Sequence, residues 1–458
     1  MAVRKELDML NGPMFGRILL FALPVAASSI LQQLFNAVDV IVVGRFVGSE
    51  ALAAVGANTT VISLILNLFI GITVGANVVI AGHIGQRDDG RVRIGVGTSA
   101  ALAIYSGIFL MLLGLLVSRP LLTAMATPDN VMSQALLYLR VYMLGVPFIM
   151  IFNFGAAILR SRGDTQRPLF ILISAGIINT VLNLVLVIVF HMGVEGVAIA
   201  TGVSNMFSAG VITWILSREE GAFRLDLRKI RLDRAETKAI LFIGIPAGFQ
   251  SMLFAISNVF VQSAVNAYGS SAIAGNAAAL TYEGIAYLVV PAFCTAAMTF
   301  ISQNYAAGRY DRCRKAFWDC LALSTAVCLF LSLSFGLFRE PCLRLFSTDP
   351  EVISYGKIRI ETALLLLFLC NSYEIPSAAM RGLGKSLLPA LLTVFGTCLL
   401  RLAWIYLVCP HHPGFAFLLT AYPVSWILTG LMVSTAYVVT VRKKYNPDKH
   451  DETDGSLV

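Results

Sequence analysis

Apolar runs long enough to cross a bilayer alternate with short polar stretches along the whole chain. Twelve such runs lie near 14–46, 51–82, 93–118, 132–157, 168–191, 194–216, 238–268, 272–305, 314–338, 353–379, 386–409 and 414–441. Several exceed the roughly 20 residues a span needs, which predicts tilt or protrusion beyond the hydrocarbon. The longest polar stretch, about 217–238, is loop-sized, so no separate soluble domain fits. The pattern predicts an all-α polytopic membrane protein with 12 transmembrane helices. Residues 1–216 form an N-lobe (spans 1–6), 217–238 a cytoplasmic linker, 239–441 a C-lobe (spans 7–12), and 442–458 a cytoplasmic polar tail.

The pattern also repeats. At one fixed offset, TPDN (127–130) falls on TDPE (348–351), and Arg160-Ser-Arg-Gly163 before Pro168 falls on Arg381-Gly-Leu-Gly384 before Pro389. With a one-residue slip, Leu23-Pro24 falls on Ile245-Pro246. An even number of spans per repeat gives both halves the same orientation. These are parallel repeats related by an axis along the membrane normal, with a cavity expected between the lobes.

Charge sets the orientation. With the N-terminus inside, most of the 34 Lys and Arg fall in inside segments, so both termini are expected in the cytoplasm, as in an inner-membrane protein. The net charge of +8 then reflects loops facing anionic lipid, not nucleic-acid binding. The polar first thirteen residues and the long first run predict no cleaved signal. Eight cysteines lie in the second half without a C-x-x-C pair, and five histidines form no ligand spacing, so neither a metal nor a catalytic centre is expected. The sequence has no phosphate loop or nucleophile elbow, which argues against a pump or an enzyme.

Chemistry concentrates in residues 23–45, LPVAASSILQQLFNAVDVIVVGR. Ser29, Gln32, Gln33, Asn36 and Asp39 recur at helical spacing, while Ile30, Leu34, Val38 and Ile41 form an opposite, lipid-facing side. Pro24 removes one backbone hydrogen bond and is a candidate hinge. A carboxylate at mid-span costs about 2.5–3.5 kcal/mol, so Asp39 marks a substrate or ion pathway. The counterpart span in the second half keeps a polar stripe, with Ser251, Asn258, Gln262 and Asn266, but has no acid. Three other charges lie inside spans there: Glu283, Glu374 and Arg401. Depths counted at about 1.5 Å per residue favour Glu283–Arg401 as a pair and leave Glu374 freer to titrate.

The stretches FALPVAASSILQQLFNAVDVIVVGRFVG, ALAAVGANTTVISLILNLFIGITVGANVVIAGHIGQRD and ILRSRGDTQRP resemble the MATE (multidrug and toxic compound extrusion) family. The second half echoes them as MRGLGKSLLP and FISQNYAAGRYD, so the resemblance covers essentially the whole chain. It implies a secondary transporter exporting organic cations or other metabolites against an H⁺ or Na⁺ gradient, without a further cofactor. In its N-lobe residues the chain is closer to the DinF-like than the NorM-like branch. That resemblance implies a coupling-ion site at Asp39, Asn179, Asn183 and Thr201, with Asn183 an amide where the family pattern favours a carboxylate.

The expected mechanism is alternating access, with three inward acids against one Arg making the cavity net negative. A cationic amphiphile then suits it, with Gln32, Asn36, Asn258, Gln262, Tyr282 and Tyr287 as substrate-cavity candidates and Phe35, Phe254 and Tyr373 adding aromatic surface. Partners are this small molecule and the lipid bilayer, and the chain is expected to work as a monomer. The alternatives are a flippase for a lipid-linked precursor and a non-transporting membrane receptor or scaffold.

Overall fold

The structure, a computed structural model, describes residues 7–125, 127–412 and 414–445. Residues 446–458, most of the predicted polar tail, lie outside the described residues. Among the described residues there is no strand. Two compact units form, Met1–Ile256 and Ser257–Val458.

The first unit holds α1 (Met14–Val42), α2 (Ser49–Gln86), α3 (Asp89–Ala124), α4 (Asp129–Ser161), α5 (Gln166–Leu184), α6 (Val194–Ser217) and the larger part of α7 (Arg234–Asn266). Helix α4 packs against α2, α3 and α6, and α5 packs against α1 and α6. Leu139, Met143, Val146 and Met150 of α4 are fully buried, whereas Phe109, Leu112 and Leu116 of α3 are exposed. Apolar side chains therefore line both the interior and the outer face, as hydrocarbon surroundings allow. Helix α1 runs unbroken through Pro24 and ends in a π-helical turn at Val43–Val47. Val38, expected on the lipid face, instead packs partly buried against the core.

The second unit begins with the end of α7 and continues through α8 (Ser270–Tyr287), α9 (Val289–Ala306), α10 (Tyr310–Leu337) and the short α11 (Arg339–Arg344). Next come α12 (Pro350–Arg359), α13 (Asn371–Gly382), α14 (Leu387–Thr393), α15 (Leu400–Ala403), α16 (Phe415–Leu419) and α17 (Ala421–Lys444). Among the described residues, eleven helical segments are long and apolar enough to cross a membrane. The predicted tenth span corresponds to the interrupted segment from α12 to α13, broken by a π turn at Ile360–Leu364 and a 3-10 turn at Leu367–Cys370.

Polar groups beside that break are satisfied from neighbouring helices. Pro376 cannot donate to the Ser372 carbonyl one turn back, and the Ser434 hydroxyl of α17 donates to it at 2.8 Å instead. Asn371 accepts from Ser324 of α10 at 2.6 Å and donates to the Phe368 carbonyl at 3.1 Å. Irregular backbone persists in an apolar surrounding because neighbouring helices supply the missing hydrogen bonds.

Local geometry reproduces the repeat. Asn130 donates to Glu50 at 3.3 Å, and Ser271 donates to Glu351 at 2.9 Å. These are corresponding positions with donor and acceptor exchanged. Gly163 and Gly384 both take positive φ, 95° and 78°, in the turn after a helix.

Two contacts fix helices of the first unit, one at the end of α6 and one along α2. Glu219, just beyond α6, pairs with Arg167 and, at 2.7 Å, with Arg162, while Arg167 also holds Asp164. The RGDTQRP stretch thus acts as a clamp on the linker. Burial pushes the Glu219 carboxyl up, but its bonds to Arg167 and Arg162 outweigh this and hold it below the usual range. At the other contact α2 meets α7 along glycines. A Cβ on Gly75 would lie 2.0 Å from the Ile240 carbonyl oxygen, and one on Gly248 would lie 2.0 Å from that of Leu68. Small residues four apart on both helices bring the backbones into direct contact.

Gly248→Ala should lower stability by about 1–3 kcal/mol through overpacking, read as a reduced Tm in detergent. Gly16→Ala, which meets nothing within 4 Å and lies in helix α1, should not lower Tm. Glu219 has a depressed native pKa, so its stabilisation is fully present above its unfolded value and is lost as pH falls through the native one. The Tm gap between wild type and Glu219→Gln should therefore be constant above pH of about 5 and shrink below about 4. A gap independent of pH would refute the assignment.

Candidate functional site

Four side chains from three helices meet inside the first unit. Asp39 near the end of α1 is 7% exposed, and Asn183 of α5 is fully buried beside it. The Asn183 amide donates to Asp39 Oδ1 and, at 3.3 Å, to Asn179 Oδ1. Asn179 in turn donates to the Thr201 hydroxyl of α6 at 3.4 Å. Thr201 Oγ1 lies 3.3 Å from Asp39 Oδ2 and 3.0 Å from the Val197 carbonyl, so one proton serves two acceptors. The structure brings Asp39, Asn179, Asn183 and Thr201 together.

Residues 179 and 183 are one turn apart, so α5 presents both amides to Asp39, and α1 reaches them because it packs along α5. The Phe35 ring lies where a Cβ on Gly176 would fall. Phe35 is thus a packing group between α1 and α5, not free aromatic surface. A carboxylate at 183 would set a second negative charge against Asp39; the amide donates to it instead. The Asn183 carbonyl oxygen is buried without a hydrogen-bond partner. Tyr138 and Tyr142 of α4, stacked with centroids 6.1 Å apart, lie within electrostatic reach of Asp39. Neither is among the residues expected from sequence, although their spacing of four puts them on one face of α4.

Pro24 is buried in α1, and the Ser28 hydroxyl donates to its carbonyl at 2.8 Å. Gln32 and Asn36 are exposed, as is Asn258. None of the three joins the Asp39 cluster.

The charges of the second unit pair differently from the expectation. Glu283 of α8 binds Arg359 of α12, with Nε at 3.0 Å and a terminal nitrogen at 2.9 Å. Arg359, 1% exposed, also donates to Asn276 at 2.8 Å. Asn276 donates to Gln262 at 3.1 Å, and Gln262 to Asn266 at 2.9 Å. Gln262 is therefore a member of this network. Arg401 donates to Ser425 at 3.0 Å instead of serving Glu283, and it shares the Tyr422 ring with Arg359 at 4.5 and 4.8 Å. The predicted Glu283–Arg401 pair is thus replaced by Glu283–Arg359. Depth along a span does not fix which way a side chain points, and Arg359, inside the predicted tenth span, is a second cation within reach of Glu283.

Glu374 accepts from the Tyr287 hydroxyl at 3.2 Å and feels the charge of Arg381, so it is less free than predicted. Tyr282 is buried, donates to the Cys342 carbonyl at 2.9 Å and packs on Phe335 and Phe346, which makes it a structural residue. Arg359, Arg381 and Arg401 are all buried. Against Glu283 and Glu374 they leave this unit's inward charge net positive, whereas the expectation for the cavity set three acids, Asp39 included, against Arg401 alone. Among the described residues, no three His, Cys, Asp or Glu side chains cluster as a metal site.

A family model described as MatE matches residues 24–185 and again 246–407, so the chain holds two copies of one pattern. The probable multidrug resistance protein YoeA of Bacillus subtilis is 26% identical over 93% of this chain and 94% of its own length. A Shewanella oneidensis protein described as a FAD transporter is 25% identical over 92% of this chain and 94% of its own. An outward-facing multidrug resistance MATE family transporter of the MOP superfamily superposes with a TM-score of 0.89. It is 22% identical and covers 97% of this chain and 99% of that one.

Replacing Arg359 by Met should strand the Glu283 carboxylate and cost about 3–5 kcal/mol of stability. Adding Glu283→Gln in the same chain should restore most of it. Thermal unfolding in detergent reads both, and an equal loss in the single and double variants would refute the pair.

Proposed function

The chain belongs to the MatE family of multidrug efflux transporters, and on that premise we propose that it is an antiporter in which Asp39 couples export to an inward flow of H⁺ or Na⁺. It is a multi-pass membrane transporter and not an enzyme. Asp39 carries the reading: a buried carboxylate whose partners Asn183 and Thr201 come from two other helices. Neutralising it by a proton removes the charge that both partners serve, which frees α1 to shift relative to α5 and α6 and biases one access state. The amide at 183 favours H⁺ over Na⁺, because it leaves Asp39 as the cluster's one group that can change charge.

The cycle proposed is alternating access in the plasma membrane, with both termini cytoplasmic, residues 217–238 as the inter-lobe linker and a monomer as the working unit. Cationic drugs are the first substrate class, by analogy with the relatives named for multidrug resistance. A second reading, export of an anionic solute, is supported by the three buried arginines against two carboxylates, and one relative carries the description FAD transporter.

Purified protein in liposomes should export a cationic dye or FAD under an imposed pH gradient. Asp39→Asn should reduce that export to the protein-free background while leaving Tm near the wild-type value. Wild-type rates in the variant would overturn the coupling role, and export driven only by a Na⁺ gradient would reassign the ion.

A further inference from the structure

The linker between α6 and α7 folds over the start of α3 and borders a half-open cavity of about 590 Å³. Its position is set by apolar contacts: Ala222 and Leu225 are buried in one cluster with Val92 and Val96 of α3. Backbone bonds hold it further. Leu225 N–H donates to the Leu216 carbonyl at 2.9 Å, and Asp233 N–H donates to the Thr98 hydroxyl at 3.3 Å. The Lys229 carbonyl lies over Gly97 of α3, 3.5 Å from where a Cβ would be, which is ordinary packing distance. The cavity is thus a built feature of the linker.

Its charge is one-sided. Arg93, Arg224, Arg228 and Lys229 line it, with Asp226 as the one acid in the lining. Lys229 lies 3.6 Å from Asp226. The Arg228 N–H bond to Asp226, with Lys229 and Arg224 nearby, holds that carboxyl below the usual range. Asp226 is therefore ionised and already engaged. Among the described residues no carboxylate is ion-paired with Arg93 or Arg228. Arg93, Arg224, Arg228 and Lys229 are exposed, so their charges are available to a ligand arriving from solvent or the lipid surface, and guanidinium groups match phosphate oxygens in bidentate fashion.

We infer that this cavity binds a phosphate-bearing anion, through Arg93, Arg224 and Arg228. The group is either a lipid headgroup phosphate or a soluble phosphate, since the cavity lies at the helix ends where α3 begins and α6 stops. The site is separate from the Asp39 cluster and does not depend on the transported substrate.

The test uses the full chain in nanodiscs with two probes. Inorganic pyrophosphate is titrated into phosphatidylcholine discs by calorimetry. Retention of phosphatidylglycerol from mixed discs is counted by native mass spectrometry. Arg224→Gln/Arg228→Gln should weaken binding on the order of tenfold or more in at least one arm. Arg442→Gln/Lys443→Gln, which removes the same charge elsewhere, should change it less than about twofold. Loss confined to the pyrophosphate arm identifies a soluble phosphate, and loss confined to the lipid arm identifies a headgroup. The inference is overturned if wild type binds neither probe, if Arg224→Gln/Arg228→Gln binds like wild type, or if both double variants weaken binding equally.

Discussion

An ionised group among apolar helices must find its partners within the protein, because no water is there to supply them. This requirement organises both halves of the molecule. Asp39 is answered by an amide and a hydroxyl, Glu283 by a guanidinium, and the open carbonyl of Ser372 by a serine from another helix. The helices that contribute these partners are thereby fixed against each other. In the first unit this ties α1 to α5 and α6; in the second it ties α8 to α12.

The two repeats meet the requirement at different places. Val261, which stands opposite Asp39 when Leu23-Pro24 is laid on Ile245-Pro246, is a buried aliphatic. The second half carries its acid one helix later, at Glu283, and there the partner is Arg359. Tyr138, the counterpart of Arg359 when TPDN is laid on TDPE, lies within electrostatic reach of Asp39. Corresponding positions therefore surround an acid in both halves, but one surrounding is uncharged and the other contributes a full positive charge. A carboxylate held by neutral donors is suited to exchange a proton. One locked to a buried guanidinium is suited to hold structure.

Much of this was legible in the sequence. Apolar run length marked the spans, the repeat was visible in its turns, and polar spacing on the first span singled out Asp39. The fifth- and sixth-span partners came from family resemblance, and their one-turn spacing agrees with the geometry. Pairings in the second half were not legible, because they depend on where helices break. The segment containing Arg359 and Glu374 departs from α-helical geometry at Ile360–Leu364 and Leu367–Cys370, so neither depth nor facing follows from a constant rise per residue. Tyr282 reads as free aromatic surface because nothing in its neighbourhood in sequence announces Cys342, whose carbonyl it binds.

The glycine seam between α2 and α7 has a consequence for how this chain can vary. Where two helices meet through side chains, a change on one can be met by a complementary change on the other. Where they meet through bare backbone, no compensating partner exists, since the carbonyls of Leu68 and Ile240 cannot be traded for anything smaller. The seam is thus closed to gradual drift, while the exposed aliphatic faces around it remain open to exchange among apolar residues. Divergence between related chains should therefore be slow along that narrow track.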